Sequence, residues 1–249
     1  MESLTEGAGE QCVACAVLPL RWAFVPSAAI LINVVANTVL QVRRFTSPPP
    51  HVIPGISAAV LPSPETGLHG PTPNKESFVV FHLGFQFNHP LGILAPGIKE
   101  LGEKAEAIYA DIEKNREEYG LLGLTHYKAA EKSTNSNNLV ILYFKDVEGV
   151  HRFAHSEVHR RGWDAFKNSR LPYVGLYHET FIVERGGHEA VYQDCYPILL
   201  GRATVKAKTD DGEKYVGTLV DAKRDSRIRT QWARLHRDAK GQLKEDLSE

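Results

Sequence analysis

Three histidines at steps of four, in HRFAHSEVHRRGW over residues 151–163, are the side chains best placed in this sequence to move a proton near neutral pH. At 3.6 residues per turn, His151, His155 and His159 advance by about 40° each and form one slanted row on a helix. Val147, Val150, Ala154 and Val158 make an apolar stripe beside that row. A histidine at such a boundary acts as a general acid or base, ligates a metal or haem iron through one ring nitrogen, or is a polar residue satisfied by a neighbour. For each residue taken singly the three readings stay open. Arg160 and Arg161 would pair with a substrate anion or a haem propionate, or lie solvated.

YHET, residues 177–180, is the second constellation, because strand alternation sends His178 and Glu179 to opposite faces. With His178 aimed at a barrel interior, Glu179 faces the helices and needs a partner among the row histidines. Such a pair orients an imidazole and raises its basicity; a plain core hydrogen bond is the alternative. His82 and His126 fall on the first and second expected strands, so six histidines could approach one cavity. His155 or His159 is then the expected base, with His178 or Glu179 as orienter and His151 beside them. No HExxH occurs, which disfavours zinc hydrolysis, and no metal site is expected. GxSxG, P-loop and Rossmann fingerprints are absent too, leaving hydrolase, nucleotide and NAD readings without local support.

The elements that must hold these residues begin with SFVVFHLGFQF, a strand ending at Phe87. PGIKELGEKAEAIYADIEKNREEYG has helical spacing and closes on Gly120. LLGLTHYKAA is a second strand, EKSTNSNN a polar turn, and LVILYFKD a third strand of nearly unbroken apolar character. One helix from Val147 to about Asn168 follows, then YVGLYHETFIV as a fourth strand and EAVYQDC as a short fifth. The order β-α-β-β-α-β predicts an α+β, ferredoxin-like domain over 77–205. Strands three and four are apolar on both faces, and two helices cover only one. A second copy meeting the other face would give a dimeric α+β barrel through a two-fold interface, enclosing an apolar chamber.

Outside that domain, residues 1–45 hold a hydrophobic helical segment. From Trp22 to Val42 there is no charge, and Arg21, Arg43 and Arg44 bracket the stretch. Asn33, Asn37 and Gln41 recur every four residues as a narrow polar stripe, which favours a helix lying on a membrane surface or packed on the protein itself over a true span. The acidic start, with Glu2, Glu6 and Glu10, argues against a cleaved signal peptide. Residues 46–76, with SPPP, IPG, LPSP and GPTP, read as a linker or arm. Residues 206–249 read as a charged, solvated tail with one short helix near Ile228 to His236.

The 249 residues carry a formal charge of −1, which removes the basic footprint of a nucleic-acid-binding protein. Three cysteines, Cys12, Cys15 and Cys195, argue against a disulfide-stapled secreted domain, and a reducing, cytoplasmic setting fits better, with peripheral contact to an intracellular membrane as the alternative. The single CxxC lacks the further ligands that zinc requires.

At NHPLGILAPGIKELGE, EYGLLGLTHY, LVILYFKDVEGVHRFAHSEVHRRGWDAF and VGLYHETFIVERGGHEAVY the chain resembles the monooxygenase-like family of fungi and actinobacteria, over roughly residues 75–205. The resemblance implies a dimeric α+β barrel akin to the small cofactor-independent monooxygenases and, more distantly, to haem-binding barrels such as aldoxime dehydratases. Fungal members often accompany specialised-metabolite gene sets. Its familiar positions are His89, Pro90 and Gly92 before the first helix, Phe153, His155, His159 and Trp163 on the second, and His178 with Glu179. Near Asp164 to Tyr173 the chain departs from the family pattern, with fewer aromatic residues and histidines, which implies a differently shaped substrate.

The expectation is therefore a homodimeric tailoring enzyme for a hydrophobic small molecule, working without cofactor by histidine acid–base chemistry. His82, His126, Phe153, Trp163, Tyr177 and His89 are the expected substrate contacts. Three alternatives stay open: a haem-dependent lyase or dehydratase, a redox-neutral dehydratase, isomerase or cyclase, and a non-catalytic binding module.

Overall fold

The computed structural model describes residues 22, 24–45, 49–130 and 136–244. Cys12, Cys15 and the acidic start lie outside the described residues. The chain divides into two units, residues 1–51 and 52–249. In the first, helix α1 spans Val25–Arg44. Pro26 sits in its first turn, where a missing N–H has no intrahelical partner to lose, and Arg43 and Arg44 lie at the carbonyl end, where positive charge is favoured.

In the second unit the elements run β1 (Ile53–Ala59), β2 (Phe78–Phe87), α2 (Ile98–Lys114), α3 (Arg116–Tyr119), β3 (Leu121–Lys128) and β4 (Ser136–Phe144). They continue with α4 (Val147–Ala154), α5 (Glu157–Ser169), β5 (Val174–Val183), β6 (Val191–Cys195), β7 (Thr204–Thr209), β8 (Gly212–Gly217), β9 (Leu219–Asp221) and α6 (Gln231–Arg234). Strands β3-β4-β2-β5 form one antiparallel sheet in that order. Sequential strands β2 and β3 are thus not neighbours, and helices bridge both crossovers, as the ferredoxin-like α+β fold requires.

Period-two alternation splits the core between the two faces of this sheet. Val79 and Leu83 of β2, Leu124 of β3 and Val140, Leu142 and Phe144 of β4 bury against Ile112, Val150 and Phe153 from the helices. Leu142, Phe144 and Ile112 are wholly buried at the centre of this layer. On the second face, Phe78, Leu122 and Tyr143 pack with Ala59, Leu200, Ala203 and Val205.

The sequence led to the expectation that a second copy would cover this second face. The chain covers part of it with its own residues from both supposed appendages. Within 46–76, read as an arm, β1 pairs with β6 and β9 in a three-stranded sheet. Proline and glycine dominate that segment's composition, yet Ser57, Ala58, Ala59 and Val60 are small enough to bury completely where the chain passes close to the core. Within 206–249, read as a tail, β7 pairs with β8, burying Val205 and Ala207 while Lys206 and Lys208 point outward. The lysines masked a period of two.

The helix expected from Val147 to Asn168 is two helices. Asp146 caps α4 by accepting from the Gly149 N–H at 2.6 Å, and Ser156 caps α5 by accepting from the His159 N–H at 3.2 Å. Both are favoured N-cap types, and Ser156 draws the backbone out of helical geometry between the two. At the break, the His151 carbonyl accepts both the His155 backbone N–H at 3.0 Å and a ring N–H of the same residue at 2.8 Å, which ties the His155 ring to the end of α4.

Candidate active site

Register decides which histidines share a surface. Val140 of β4 stands opposite both His126 of β3 and Leu83 of β2, and Leu83 stands opposite His178 of β5. His126, Val140, Leu83 and His178 therefore form one row across the helix-covered face, two imidazoles separated by an apolar floor. Three inter-strand spacings make the row about 14 Å long.

Aromatic rings seat both ends. His126 meets the Tyr109 ring of α2 edge-on at 4.9 Å, and His178 lies 5.6 Å from Phe81. From Phe81 the contacts run to Phe144 at 6.4 Å, to Phe153 at 6.1 Å and to His159 of α5 at 5.0 Å. Burial pushes the Tyr109 phenol well above its ordinary pKa, so it stays protonated as a neutral wall. Roofing comes from α2 and α5, which approach closely because Gly162 has no side chain: a Cβ there would stand 2.5 Å from the Ile108 methyl Cδ1.

His159 is half-buried, and its Nδ1 is enclosed with no hydrogen-bond partner among the described residues. Burial lowers its pKa, against an upward pull from the Ala154 carbonyl, so the ring is neutral at pH 7. A cavity of about 330 Å³ opens at the β3 edge, lined by Leu121, Gly123, Leu124, Glu113, Arg116 and Arg202. Leu124 is two residues from His126 on the same face of β3.

Glu179 does not join this surface. It pairs across β2 with His82, their side chains 3.6 Å apart on the second face, and it is well exposed. The expected Glu179 partnership with the row histidines is thus corrected: parity puts His178, not Glu179, on the helix side. Phe181 lies 5.3 Å from His82 on the same face. Tyr177 is there as well, lying over Gly84 and donating its hydroxyl to Asn137 Oδ1 at 2.9 Å. His151 and His155 are exposed beside the helix break, their rings 6.3 Å apart. Trp163 stacks on Phe166 at 5.6 Å with its outer face in solvent. His89 accepts from the Leu91 N–H at 3.1 Å and packs on Tyr173 at 4.9 Å.

Of the expected site residues, the structure brings His126, His178, His159 and Phe153 to the helix face and puts His82, Tyr177 and Glu179 on the other. Tyr109, Phe81 and Phe144 complete the surface without having been singled out from sequence. Tyr109 had a signal, since it lies one helical turn before Ile112. Val140 and Leu83 are buried beneath the helices, while His126 and His178 are exposed at the two ends, where each imidazole can meet a polar group and take or give a proton. Among the described residues no three His, Cys, Asp or Glu side chains converge as metal ligands. A haem would be held through one histidine ring nitrogen, and His178, exposed on this face, is the residue that would offer it.

Comparison with known proteins adds three findings. Residues 78–200 match the family described as Monooxygenase af470-like. The chain is 41% identical over 236 residues, 93% of its own length and 85% of the relative's, to a protein named Monooxygenase af470 from Aspergillus fumigatus. Among solved structures it is similar to SnoaB, a cofactor-independent oxygenase from Streptomyces nogalater, with 15% identity, 42% of this chain and 91% of that chain covered, and a TM-score of 0.30. It is also similar to the aldoxime dehydratase OxdRE in complex with butyraldoxime, with 14% identity, 59% and 41% covered, and a TM-score of 0.42.

Proposed function

The chain belongs to the Monooxygenase af470-like family and is a monooxygenase-like enzyme, and from that premise we propose that it oxygenates an apolar small molecule that reaches between the exposed imidazoles of His178 and His126, as a tailoring step on a specialised metabolite. That row supports the reading: two solvent-exposed imidazoles, His126 and His178, stand at the ends of a floor made by the buried Val140 and Leu83.

His178 is the base, taking a proton from a carbon flanked by activating groups, and His126 orients the far polar end. The resulting carbanion passes one electron to O2, and the radical pair closes to a hydroperoxide. Loss of water then turns the original CH2 into C=O: one oxygen atom stays, the other leaves with the two hydrogens. The substrate supplies the electrons, so the scheme calls on no cofactor, and the protein contributes the base and the orienting imidazole. A second copy packs against the strip of the second face around His82 and Phe181.

The test is to incubate purified protein with the compound that accumulates in a deletion strain, under air and under nitrogen. Product under air alone, lowered about 10²-fold or more in kcat by His178→Ala, and unchanged by Glu179→Gln, is the expected result. A Soret band that shifts in His178→Ala would replace this mechanism with haem chemistry. Turnover equal under nitrogen would replace it with a redox-neutral reaction, and no conversion of the accumulated compound would leave a binding module.

A further inference from the structure

Helix α1 is twenty residues long, which at 1.5 Å per residue is about 30 Å, the thickness of a bilayer's hydrocarbon core. None of its residues is buried, and Leu31, Ile32, Val34, Val35 and Val42 are each more than half exposed. Trp22 and Phe24 stand at one end and Phe45 at the other, the positions aromatic rings take at the two membrane–water boundaries.

Charge placement separates crossing the bilayer from lying on it. A surface-lying helix carries lysine and arginine along its polar face. Here nothing from Val25 to Val42 is charged, and the basic residues Arg43 and Arg44 are confined to one end. The polar stripe partly satisfies itself within the helix: Asn37 donates to Asn33 Oδ1 at 3.1 Å, and the Thr38 hydroxyl donates to the Val34 carbonyl at 2.8 Å. The helix meets the backbone N–H and C=O groups of its interior within itself, as a lipid surrounding requires.

We propose that α1 crosses a lipid bilayer once as an uncleaved anchor, with the Arg43–Arg44 end, and so the unit that follows it, on the cytoplasmic side. Two arginines close that end against Arg21 alone beyond the other, the bias that basic residues impose on orientation. The anchor is independent of the chemistry at the helix face.

The test uses the full chain with a C-terminal epitope, expressed in yeast. Retention in the membrane pellet through alkaline carbonate, at full-length mass, is expected, together with release by the double change Ile32→Arg and Val35→Arg and continued retention of Asn33→Leu. The Arg variant's unit 52–249 should keep the circular dichroism and melting profile of a 52–249 fragment compared beside it, which separates lost insertion from misfolding. Protease added outside sealed microsomes should digest the epitope-bearing unit. Release of the wild-type chain by carbonate, or a chain shortened at its N-terminus, overturns the anchor; a protease-protected epitope overturns the orientation.

Discussion

One substitution, Gly→Ala, should give three different answers in the helices that frame the site. Gly102 in α2 has nothing within 4 Å of where a Cβ would sit. There alanine gains its helix propensity, about 0.8–1 kcal/mol, and raises Tm by about 2–4 °C in a unit of this size. Gly149 in α4 is the opposite case: a Cβ would stand 2.1 Å from the Tyr119 carbonyl oxygen and 3.1 Å from its carbon. That obstacle is backbone, so relief requires α4 to move by more than 1 Å, off the contacts of Val150 and Phe153 and away from the Asp146 cap. Overpacking of this kind costs about 3 kcal/mol, offset by about 1 kcal/mol of propensity, for a net loss of about 2 kcal/mol and a Tm lower by about 4–8 °C. Gly162 falls between, because the Ile108 methyl at 2.5 Å is the far end of a side chain that can turn aside. Thermal unfolding by circular dichroism, with reversibility checked by a second scan, measures all three. If Gly149→Ala melts as high as Gly102→Ala, α4 is not seated on the Tyr119 carbonyl, and the placement of Phe153 and His159 against the sheet falls with it.

Burial lowers the pKa of His159, His188 and His236, so the folded state binds fewer protons than the unfolded one between their folded values and about 6.5; stability should hold above pH 6.5 and fall as pH drops below it. A melting temperature that rises on acidification from pH 7 to pH 5.5 would contradict this. Tyr177→Phe should lose about 0.5–1 kcal/mol with its hydroxyl bond to Asn137, and Gly84→Ala, whose Cβ would lie 2.0 Å from the Tyr177 ring, should be less damaging in a Tyr177→Ala background than alone. Equal damage in both backgrounds would mean the ring does not lie over Gly84. For the proposed dimer, Phe181→Glu puts charge on an exposed strip of the second face and should convert a dimer to a monomer by light scattering while leaving the melting curve of the unit in place; a monomeric wild-type chain, or a variant that keeps a dimer's mass, would refute this interface.

Local patterns carried the ferredoxin-like core and stopped where two signals overlapped. Phe78–Phe87 and Leu139–Phe144 declare themselves as strands through largely apolar runs, because each must bury side chains on both faces, whereas burial on one face leaves alternation as the rule. Val205 and Ala207 obey the same rule in β7, but lysines at alternate positions read as a solvated tail. In β1, Ser57, Ala58 and Ala59 are too small to register as apolar amid prolines, although small size is what lets that backbone approach the sheet. Ser156 was visible as a residue but not as a cap, since one serine on the wet side of a helix looks the same as one that ends it. The site lies a level further from the sequence. Alternation separates His178 from Glu179, but the choice of face depends on Leu83 standing opposite His178, a pairing across 95 positions of chain. A slip of one residue in that register would turn Glu179 toward the helices and break the row of imidazoles. What holds the register is the burial of Val79 and Leu83 under α2 and α4 together with Phe78 under the chain's own second layer, so the pairing of catalytic candidates is a property of the whole core and not of YHET.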